Sequence, residues 1–325
     1  MTRFLIIQTA FIGDVILTTP LLEKIRQRDP QAQVDVMVRK GNEGLLAHHP
    51  GVHRLYVLDK RSAKWRHVFS MIREIRKTRY DHLINLQRFL TTGIISLFAR
   101  ARRKAGFDKN PLSVFYHHRV KHVIGEGTHE IERNLALLDE LYGPGFVRPS
   151  LYPSGNDYER VRAYQQGDYV CLAPASVWYT KQFPEQKWVE LINLLPASRR
   201  VYLIGGPDDA ELCERVRSQA GHPDVHNIAG QLRFLETAAL MKEARMNYVN
   251  DSAPLHLASA MNAPVRAVFC STVPGFGFYP VSDDSRVVEI PYKLYCRPCG
   301  LHGFKNCPEG HFRCAREIDV QQLLS

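Results

Sequence analysis

Short apolar runs alternate with amphipathic stretches along the first half of the chain. The run at residues 4–7 predicts a buried strand, and the leucine and isoleucine spacing over 16–28 predicts the helix that follows it. Further strands are predicted over 34–38, 54–58 and 80–86, and a basic amphipathic helix over 65–78. This alternation favours an α/β fold with a mostly parallel, doubly wound sheet.

The same alternation starts again in the second half of the chain. It predicts strands over 169–173, 200–206, 246–250 and 265–269, with helices over 188–195, 210–219 and 253–261. Glycines and prolines concentrate between residues 143 and 158, which predicts a linker there. Because 325 residues exceed the usual size of one hydrophobic core, we predict two α/β domains, 1–150 and 151–325, facing each other across a cleft.

Positive charge is concentrated in the first half of the chain. Residues 1–150 contain 25 Lys and Arg against 14 Asp and Glu, a net charge of +11, whereas the remainder has a net charge of −1. This asymmetry predicts a polyanionic partner for the first half: nucleic acid, an anionic membrane surface or a phosphorylated acceptor. Solvated basic helices without a partner are the alternative that charge alone leaves open.

The N-terminal apolar run is short and is interrupted at once by Gly13 and Asp14. It lacks a small-residue cleavage site, so it predicts a buried strand rather than a signal peptide, and no apolar stretch is long enough to span a bilayer. We therefore expect a cytoplasmic protein whose seven cysteines stay reduced.

Two candidate sites follow predicted strands directly. Gly13 and Asp14 come after the first strand, where a carboxylate could act as a general base, although Asp is also a common helix cap. Gly205 and Gly206 form a glycine turn before a helix, as phosphate-binding turns do. The third glycine of the dinucleotide fingerprint is absent, so this turn is a weak nucleotide signal and an NAD-dependent enzyme is disfavoured.

Two further stretches suit a diphosphate. Asp251 and Ser252 precede a short helix, and His256 lies one turn later on the same face; a structural helix with a core histidine is the alternative. Ser176 and Lys181 lie in a loop after a strand and could clamp a phosphate, although many surface loops look alike.

Four cysteines lie close together near the C-terminus, at Cys296, Cys299, Cys307 and Cys314. This density suits a structural Zn or Fe site, although the spacing is not that of a standard zinc finger. Two disulfides or reduced cysteines in a loop are the alternatives.

In combination these features resemble glycosyltransferase family 9, the ADP-heptose:lipopolysaccharide heptosyltransferases, over nearly the whole chain. The opening strand with its Gly-Asp step and the segments 80–87 and 129–135 are similar to those of the family, as are residues 181–184 with Trp188. Residues 251–260 are similar to the family signature Asp-Ser/Thr-Gly-x-x-His-x-Ala-Ala. The cysteine tail resembles that of second-heptose enzymes, which favours a heptosyltransferase II-like role.

The resemblance implies a GT-B fold, two Rossmann-like domains facing a central cleft, with acceptor on the N-terminal and nucleotide sugar on the C-terminal domain. It implies an inverting transfer with Asp14 as general base and no catalytic metal or other required cofactor. The expected donor-binding residues are Ser176, Lys181, Gly205, Gly206, Asp251, Ser252, His256, Ser271 and Thr272. The expected acceptor-binding residues are Gly13, Gln87, Arg88, Arg100, Arg102 and Arg103.

The expected partners are ADP-heptose or a related nucleotide sugar, a lipid A-core acceptor and the cytoplasmic face of the inner membrane, where the protein would be peripheral. Ala253 replaces the signature glycine and Pro254 follows it, which leaves another nucleotide sugar or another acceptor, including a protein, as an alternative. A basic nucleic-acid-binding protein with a metal-stapled tail is the alternative from another class. Its basic residues are spread over several predicted helices, and we do not expect nucleic acid as the partner.

Overall fold

The computed structural model describes residues 1–60 and 64–325, and the chain divides into two compact units. The first contains Met1–Ile124 and Thr128–Tyr152, and the second contains Gly125–Gly127 and Pro153–Ser325. Within the described ranges, no helix combines the length and the hydrophobicity that crossing a bilayer requires.

The first unit is built on a six-stranded parallel sheet with the strand order β3-β2-β1-β4-β5-β6. Its strands are β1 (Arg3–Gln8), β2 (Gln33–Arg39), β3 (Arg54–Leu58), β4 (Tyr80–Asn85), β5 (Ala101–Phe107) and β6 (His118–Val120). The predicted apolar run at 4–7 forms the fully buried interior of β1, as expected for a central strand covered on both faces.

Helices cover this sheet. They are α1 (Ile12–Ile16), α2 (Thr19–Arg28), α3 (Lys64–Ile75), α4 (Leu90–Phe98), α5 (Glu130–Leu135) and α6 (Asp139–Tyr142), with 3₁₀ turns at Glu43–Leu46, Ser113–Phe115 and Ala136–Leu138. The single helix predicted over 16–28 is in fact interrupted before α2. The hydroxyls of Thr18 and Thr19 donate to the carbonyls of Asp14 and Ile16, and Pro20 starts the new helix without needing an N–H partner.

The basic stretch around Arg102 corrects one expectation. The basic residues were predicted to be spread over several helices, but Arg102 and Arg103 belong to strand β5, which has exposed polar positions and lacks a continuous apolar run. β5 forms because its backbone completes the ladder between β4 and β6, a long-range pairing that local hydrophobic periodicity does not reveal.

The second unit repeats this topology in a second six-stranded parallel sheet, with the order β12-β11-β10-β7-β8-β9. Its strands are β7 (Tyr169–Ala173), β8 (Arg200–Leu203), β9 (Val225–Asn227), β10 (Met246–Asn250), β11 (Val265–Val268) and β12 (Ser285–Val288). In both sheets the chain turns back across its first strand, which creates a topological switch point beside β1 and beside β7.

The helices of the second unit are α7 (Gly155–Val161), α8 (Glu185–Leu194), α9 (Ala210–Gln219), α10 (Phe234–Glu243), α11 (Ala253–Ala260) and α12 (Arg313–Arg316). Single 3₁₀ turns lie at Tyr179–Lys181, Pro207–Asp209, Pro274–Phe276 and Val320–Leu323. Helix α7 begins inside the predicted linker because Ser154 caps it, accepting a hydrogen bond from the amide of Asp157. The C-terminal tail supplies Phe312 and Cys314 to the core around Trp188.

Candidate active site

The predicted site residues Asp14 and Arg88 both lie at the switch point of the first sheet. Asp14 follows β1, and Arg88 follows β4, its direct neighbour in the sheet. Ligands of open α/β sheets bind at the carboxyl ends of strands beside such a switch point. The guanidinium of Arg88 lies within electrostatic range of the Asp14 carboxylate. The fold therefore places a carboxylate and an exposed cation together where a ligand is expected.

The pKa of Asp14 is raised to about 6. Burial is the main cause, and the negative charge of Glu130 adds to it, while a hydrogen bond from the Phe11 amide and the charge of Arg88 act in the opposite direction. The side chain is only partly covered, so a substrate can reach it. A carboxylate with this pKa is ionised at neutral pH and binds a proton more strongly than an ordinary aspartate, which suits a general base.

Glu130 is a component of this site that the sequence analysis did not assign. One of its carboxylate oxygens accepts a hydrogen bond from Nε of Arg133 at 2.7 Å, and Nε2 of His122 lies 3.2 Å from both oxygens. Burial alone would raise the pKa of Glu130, but His122 and Arg133 outweigh it and lower that pKa. Glu130 therefore stays ionised and keeps the pKa of Asp14 high.

A side-chain bond attaches the Glu130 segment to the Asp14 segment. The amide of Asn134 in α5 donates to the carbonyl of Leu17, just after α1, at 3.0 Å. Both segments belong to the stretches of sequence that resemble the family. Their similarity was the only signal that could have linked them, because 116 residues separate Asp14 from Glu130.

Gln87 is buried, unlike its neighbour Arg88. Its side-chain amide donates to Oε1 of Gln8, and its backbone carbonyl accepts a hydrogen bond from Asn110 at 2.8 Å. These bonds connect the loops after β1, β4 and β5. Gln87 therefore contributes to the buried wall of the site, and Gly13 precedes Asp14 in the first turn of α1.

The predicted acceptor residues Arg100, Arg102 and Arg103 are not brought to Asp14. They lie just before β5 or at its start, at the amino edge of the sheet, where Arg102 and Arg103 line a cavity of about 510 Å³ with Asp81 and His82. A strand of six residues is about 20 Å long, so most of the length of the strand separates these arginines from the carboxyl edge of the sheet.

In the second unit, Lys181, Asp251 and Thr272 form one buried cluster. The ammonium of Lys181 lies 2.6 Å from Oδ2 of Asp251, and the Thr272 hydroxyl donates to the same oxygen at 2.6 Å. Asp251 follows β10 at the switch point of this sheet, and Thr272 follows its neighbour β11. Three predicted donor residues are therefore in direct contact.

Ser252 is the N-terminal cap residue of α11, with Pro254 in the first turn of that helix. Its hydroxyl donates to the carbonyl of Asn250 at 3.4 Å and accepts no hydrogen bond from the helix. Pro254 has no N–H and the Leu255 amide donates to the Ser252 carbonyl, so Ala253 carries the first-turn amide that another acceptor could use. His256 is buried one turn later, on the same side of the helix.

Asn250, which the sequence analysis left without a role, holds the loops of this site together. Its Oδ1 accepts the amide of Phe183 at 2.9 Å, and its Nδ2 donates to the carbonyl of Pro174 at 2.8 Å. The Ser176 loop is anchored in addition by Gln182, whose side chain donates to the Ser176 carbonyl at 2.6 Å. The Ser176 and Lys181 segments are thus positioned from the end of β10.

The glycine turn after β8 already holds a carboxylate. Oδ2 of Asp209 accepts the amide of Gly206 at 2.8 Å, and a side chain at Gly205 would collide with Asp209. The Gly206 amide, which could otherwise bind a phosphate, is already bonded to a carboxylate of the protein. The close approach of Asp209 therefore accounts for the two glycines at positions 205 and 206.

The cysteine-bearing tail packs against the Lys181 cluster. Thr180 is fully buried; its Oγ1 accepts the amide of Phe304 at 2.8 Å and a hydrogen bond from the Ser271 hydroxyl at 3.1 Å. The carbonyl of Ser271 also accepts the amide of Cys299. Arg297 donates to the Thr272 carbonyl at 2.6 Å and pairs with Glu289. The tail therefore fixes the loop that carries Ser271 and Thr272.

Gly303→Ala is expected to destabilise the protein by about 2 to 3 kcal/mol. Gly303 has a φ of +82°, and a Cβ there would lie 2.8 Å from Oγ1 of Thr180 and 3.2 Å from Cγ of Lys181. Gly310→Ala is the matched control, since Gly310 has a φ of +71° with nothing within 4 Å and should lose only about 1 kcal/mol. Urea unfolding measures both, and equal losses would contradict the predicted collision.

The four tail cysteines are free thiols. Burial raises the pKa of Cys296, Cys299 and Cys314, the last to about 12, and Sγ of Cys296 lies 3.9 Å from Nε2 of His311. Among residues 1–60 and 64–325, no group of three or more His, Cys, Asp or Glu side chains has the arrangement of a metal site. In the described arrangement, Cys314 is instead a core residue.

Comparison with known proteins finds one family whose model matches most of the chain. The model of glycosyltransferase family 9 (heptosyltransferase) matches residues 68–303. Lipopolysaccharide heptosyltransferase 3 of Escherichia coli is 28% identical over 278 residues, which cover 81% of this chain and 82% of the relative.

Two solved structures from E. coli share the fold. The structure of ADP-heptose lps heptosyltransferase II has a TM-score of 0.78 at 20% identity, covering 100% of this chain and 96% of that chain. Heptosyltransferase WaaC with ADP has a TM-score of 0.72 at 24% identity, covering 88% of this chain and 92% of that chain. The predicted GT-B class, with its two Rossmann-like sheets, is confirmed.

Proposed function

Because this chain belongs to glycosyltransferase family 9, we propose that it transfers a heptose from ADP-heptose to the inner core of a lipopolysaccharide. The family makes the chain a glycosyltransferase, as the sequence analysis predicted. Relatives named lipopolysaccharide heptosyltransferase and a related structure determined with ADP support the donor and the acceptor. The observation that carries the proposal is Asp14, a reachable carboxylate of raised pKa at the switch point of the first sheet.

Asp14 acts as the general base in the proposed reaction. It accepts the proton of the acceptor hydroxyl while that oxygen bonds to the anomeric carbon of the heptose, and ADP leaves from the opposite face, so the configuration inverts. Glu130 assists by keeping the pKa of Asp14 near 6. Arg88 is the proposed contact for an anionic group of the acceptor.

The Lys181 cluster binds the diphosphate of the donor in this proposal. The Lys181 ammonium and the N-terminal end of α11, with the Ala253 amide beside Ser252, supply positive charge toward the leaving group, and no catalytic metal is required. Asp251 and Thr272 orient Lys181. His256 lies in α11, one turn after Ser252, and is a further proposed donor contact. Ser176 completes the proposed donor contacts, and Ser271, which was expected among them, is fully buried and bonds to Thr180 instead.

Transfer from ADP-heptose to Kdo2-lipid A tests the function, with and without one heptose already on the acceptor. Transfer to the heptosylated acceptor alone would make the protein a second-heptose enzyme, the role that the cysteine tail suggested. No transfer to either acceptor would reject the proposal. A panel of nucleotide sugars then tests the alternative raised by Ala253, since a side chain at that position crowds a donor that approaches the backbone.

The pH profile of kcat/KM is expected to show an acidic limb near pH 6. Asp14 must be ionised to accept a proton, so the rate should fall tenfold per pH unit below its pKa of about 6 and level off above it. Glu130→Gln removes a negative charge that raises this pKa and should move the limb to lower pH. An unmoved limb in that variant would show that another group titrates.

We also propose that the four tail cysteines hold a structural Zn or iron ion, since thiolates are preferred ligands of both. The four thiols lie close enough to interact electrostatically, but within the described residues they do not have the arrangement of a metal site, so binding would have to adjust their positions. Elemental analysis should find about one metal ion per chain, lost in Cys296→Ser/Cys307→Ser and kept in the control Cys213→Ser, whose thiol lies in α9. Metal-free wild-type protein would contradict the proposal.

The acceptor is anchored in a membrane if it is a lipid A core, and we propose that the protein associates peripherally with the cytoplasmic face of the inner membrane. The excess positive charge of residues 1–150 supports this location, because that face is anionic.

A further inference from the structure

Large apolar side chains protrude from the segments that follow β1, β3, β4 and β5, all at the carboxyl edge of the first sheet. Each is between 48% and 67% exposed. We call this set the apolar rim; its members are Phe11, Trp65, Phe69, Phe89, Leu90, Val114 and Phe115. Side chains of this size are seldom left in water together unless the surface they form binds something.

Contacts across the edge join these segments into one surface. Lys60 donates to the carbonyl of Thr9 at 2.7 Å, and its ammonium lies 6.0 Å from the ring centre of Phe89. Asn110 donates to the Phe89 carbonyl at 3.1 Å, which connects the loop bearing Val114 to the start of α4. The loops of the apolar rim are thus held together by hydrogen bonds from their neighbours.

Cations are interleaved with the apolar rim. The guanidinium of Arg39 lies 5.3 Å from the centre of the Phe11 ring, and that of Arg88 lies 5.6 Å from the Phe89 ring. Arg66 and Lys109 are exposed beside the other members. Aromatic side chains mixed with Arg and Lys are typical of protein surfaces that sit at the boundary between lipid headgroups and acyl chains.

We propose that the apolar rim inserts into an anionic bilayer surface and so docks the carboxyl edge of the first sheet on the membrane. Charge complementarity identifies the occupant, because the half of the chain that carries the rim has a net charge of +11. The inference rests on the proposed function in one respect: docking places Asp14 beside an acceptor embedded in that membrane.

Vesicle binding tests the proposal with Phe69→Ser/Val114→Ser/Phe115→Ser, which leaves Phe11, Arg88 and Phe89 near Asp14 intact. Phe98→Ser is the matched control, because Phe98 is 50% exposed at the opposite end of α4 from Leu90. Wild type and control should cosediment with vesicles of phosphatidylethanolamine and phosphatidylglycerol, and weakly with phosphatidylcholine vesicles. The triple variant should bind the anionic vesicles about tenfold or more weakly.

The proposal is overturned if the wild type does not bind anionic vesicles, if the triple variant binds as well as the wild type, or if Phe98→Ser loses as much binding. Transfer to a deacylated, water-soluble acceptor separates docking from catalysis. If the wild type transfers to the soluble acceptor but does not bind vesicles, membrane docking is rejected and the proposed function is not. If it binds vesicles but shows no transfer, the proposed function is rejected and membrane docking is not. A raised KM of the triple variant for the soluble acceptor would show that the rim binds acceptor sugar, which also overturns the proposal.

Discussion

Asp14→Asn is expected to lower kcat for transfer by about a hundredfold or more, the usual effect of removing a general base. Asn has nearly the same shape as Asp, and its side-chain oxygen can still accept the hydrogen bond from the Phe11 amide. Binding of both substrates should change little, because the lost step is proton acceptance. Steady-state transfer with saturating donor and acceptor measures the effect, and a rate near that of the wild type would reject the assigned base.

Thermal unfolding of the same variant separates lost chemistry from lost structure. The pKa of Asp14 is about 6 in the folded protein against an ordinary value of 3.8, so the ionised form is disfavoured by folding. This cost is absent below pH 4, grows as the pH rises through 6 and is fully present above it. Asp14→Asn removes it and should therefore be more stable than the wild type by about 2 kcal/mol at pH 8, after allowance for partial exposure, with no gain at pH 4. A variant that is both inactive and less stable would point to misfolding.

Lys181→Met is expected to weaken ADP binding by about ten- to a hundredfold, because it removes the cation proposed to face the diphosphate. The substitution also leaves the Asp251 carboxylate without the ammonium that lies 2.6 Å away. We expect a loss of stability of about 2 kcal/mol, smaller than for a fully buried pair, since the Thr272 hydroxyl still donates to Asp251. Calorimetric titration with ADP and urea unfolding measure the two effects.

The double variant Lys181→Met/Asp251→Asn distinguishes the two roles of Lys181. Neutralising Asp251 removes the unpaired charge, so stability should return toward that of the wild type while ADP binding stays weak. If ADP affinity recovered with stability, Lys181 would serve only to hold Asp251 in place. Unchanged ADP affinity in the single variant would contradict the proposed donor contact.

Secondary structure was predicted best where the strands are buried and apolar. The strands predicted over 169–173 and 246–250 have the bounds observed for β7 and β10, two central strands of the second sheet. A central strand of a parallel sheet is covered on both faces, so its sequence is a continuous apolar run that can be recognised locally. β5 was not recognised because its first residues are charged and exposed, and only pairing with β4 and β6 makes them a strand.

The candidate sites were predictable to the extent that they follow such strands. Asp14, Arg88 and Asp251 lie in the segments that follow β1, β4 and β10, and all parallel strands end at the same edge. Arg102 and Arg103, which the family resemblance suggested as acceptor contacts, lie near the start of β5, at the opposite edge of the sheet from a residue that follows its end.

The sequence by itself determined the alternation of strands and helices, the family, and which residues follow the strands at the carboxyl edges of the sheets. These features depend on short-range patterns and motifs. Only the tertiary structure decided the chemistry around those residues. The pKa of Asp14 depends on its burial and on Glu130, which is held nearby by the bond from Asn134 to Leu17. Lys181 meets Asp251 across 70 residues of chain. Charge and solvation act through space over a few ångströms, and which side chains come that close depends on packing that local periodicity does not encode.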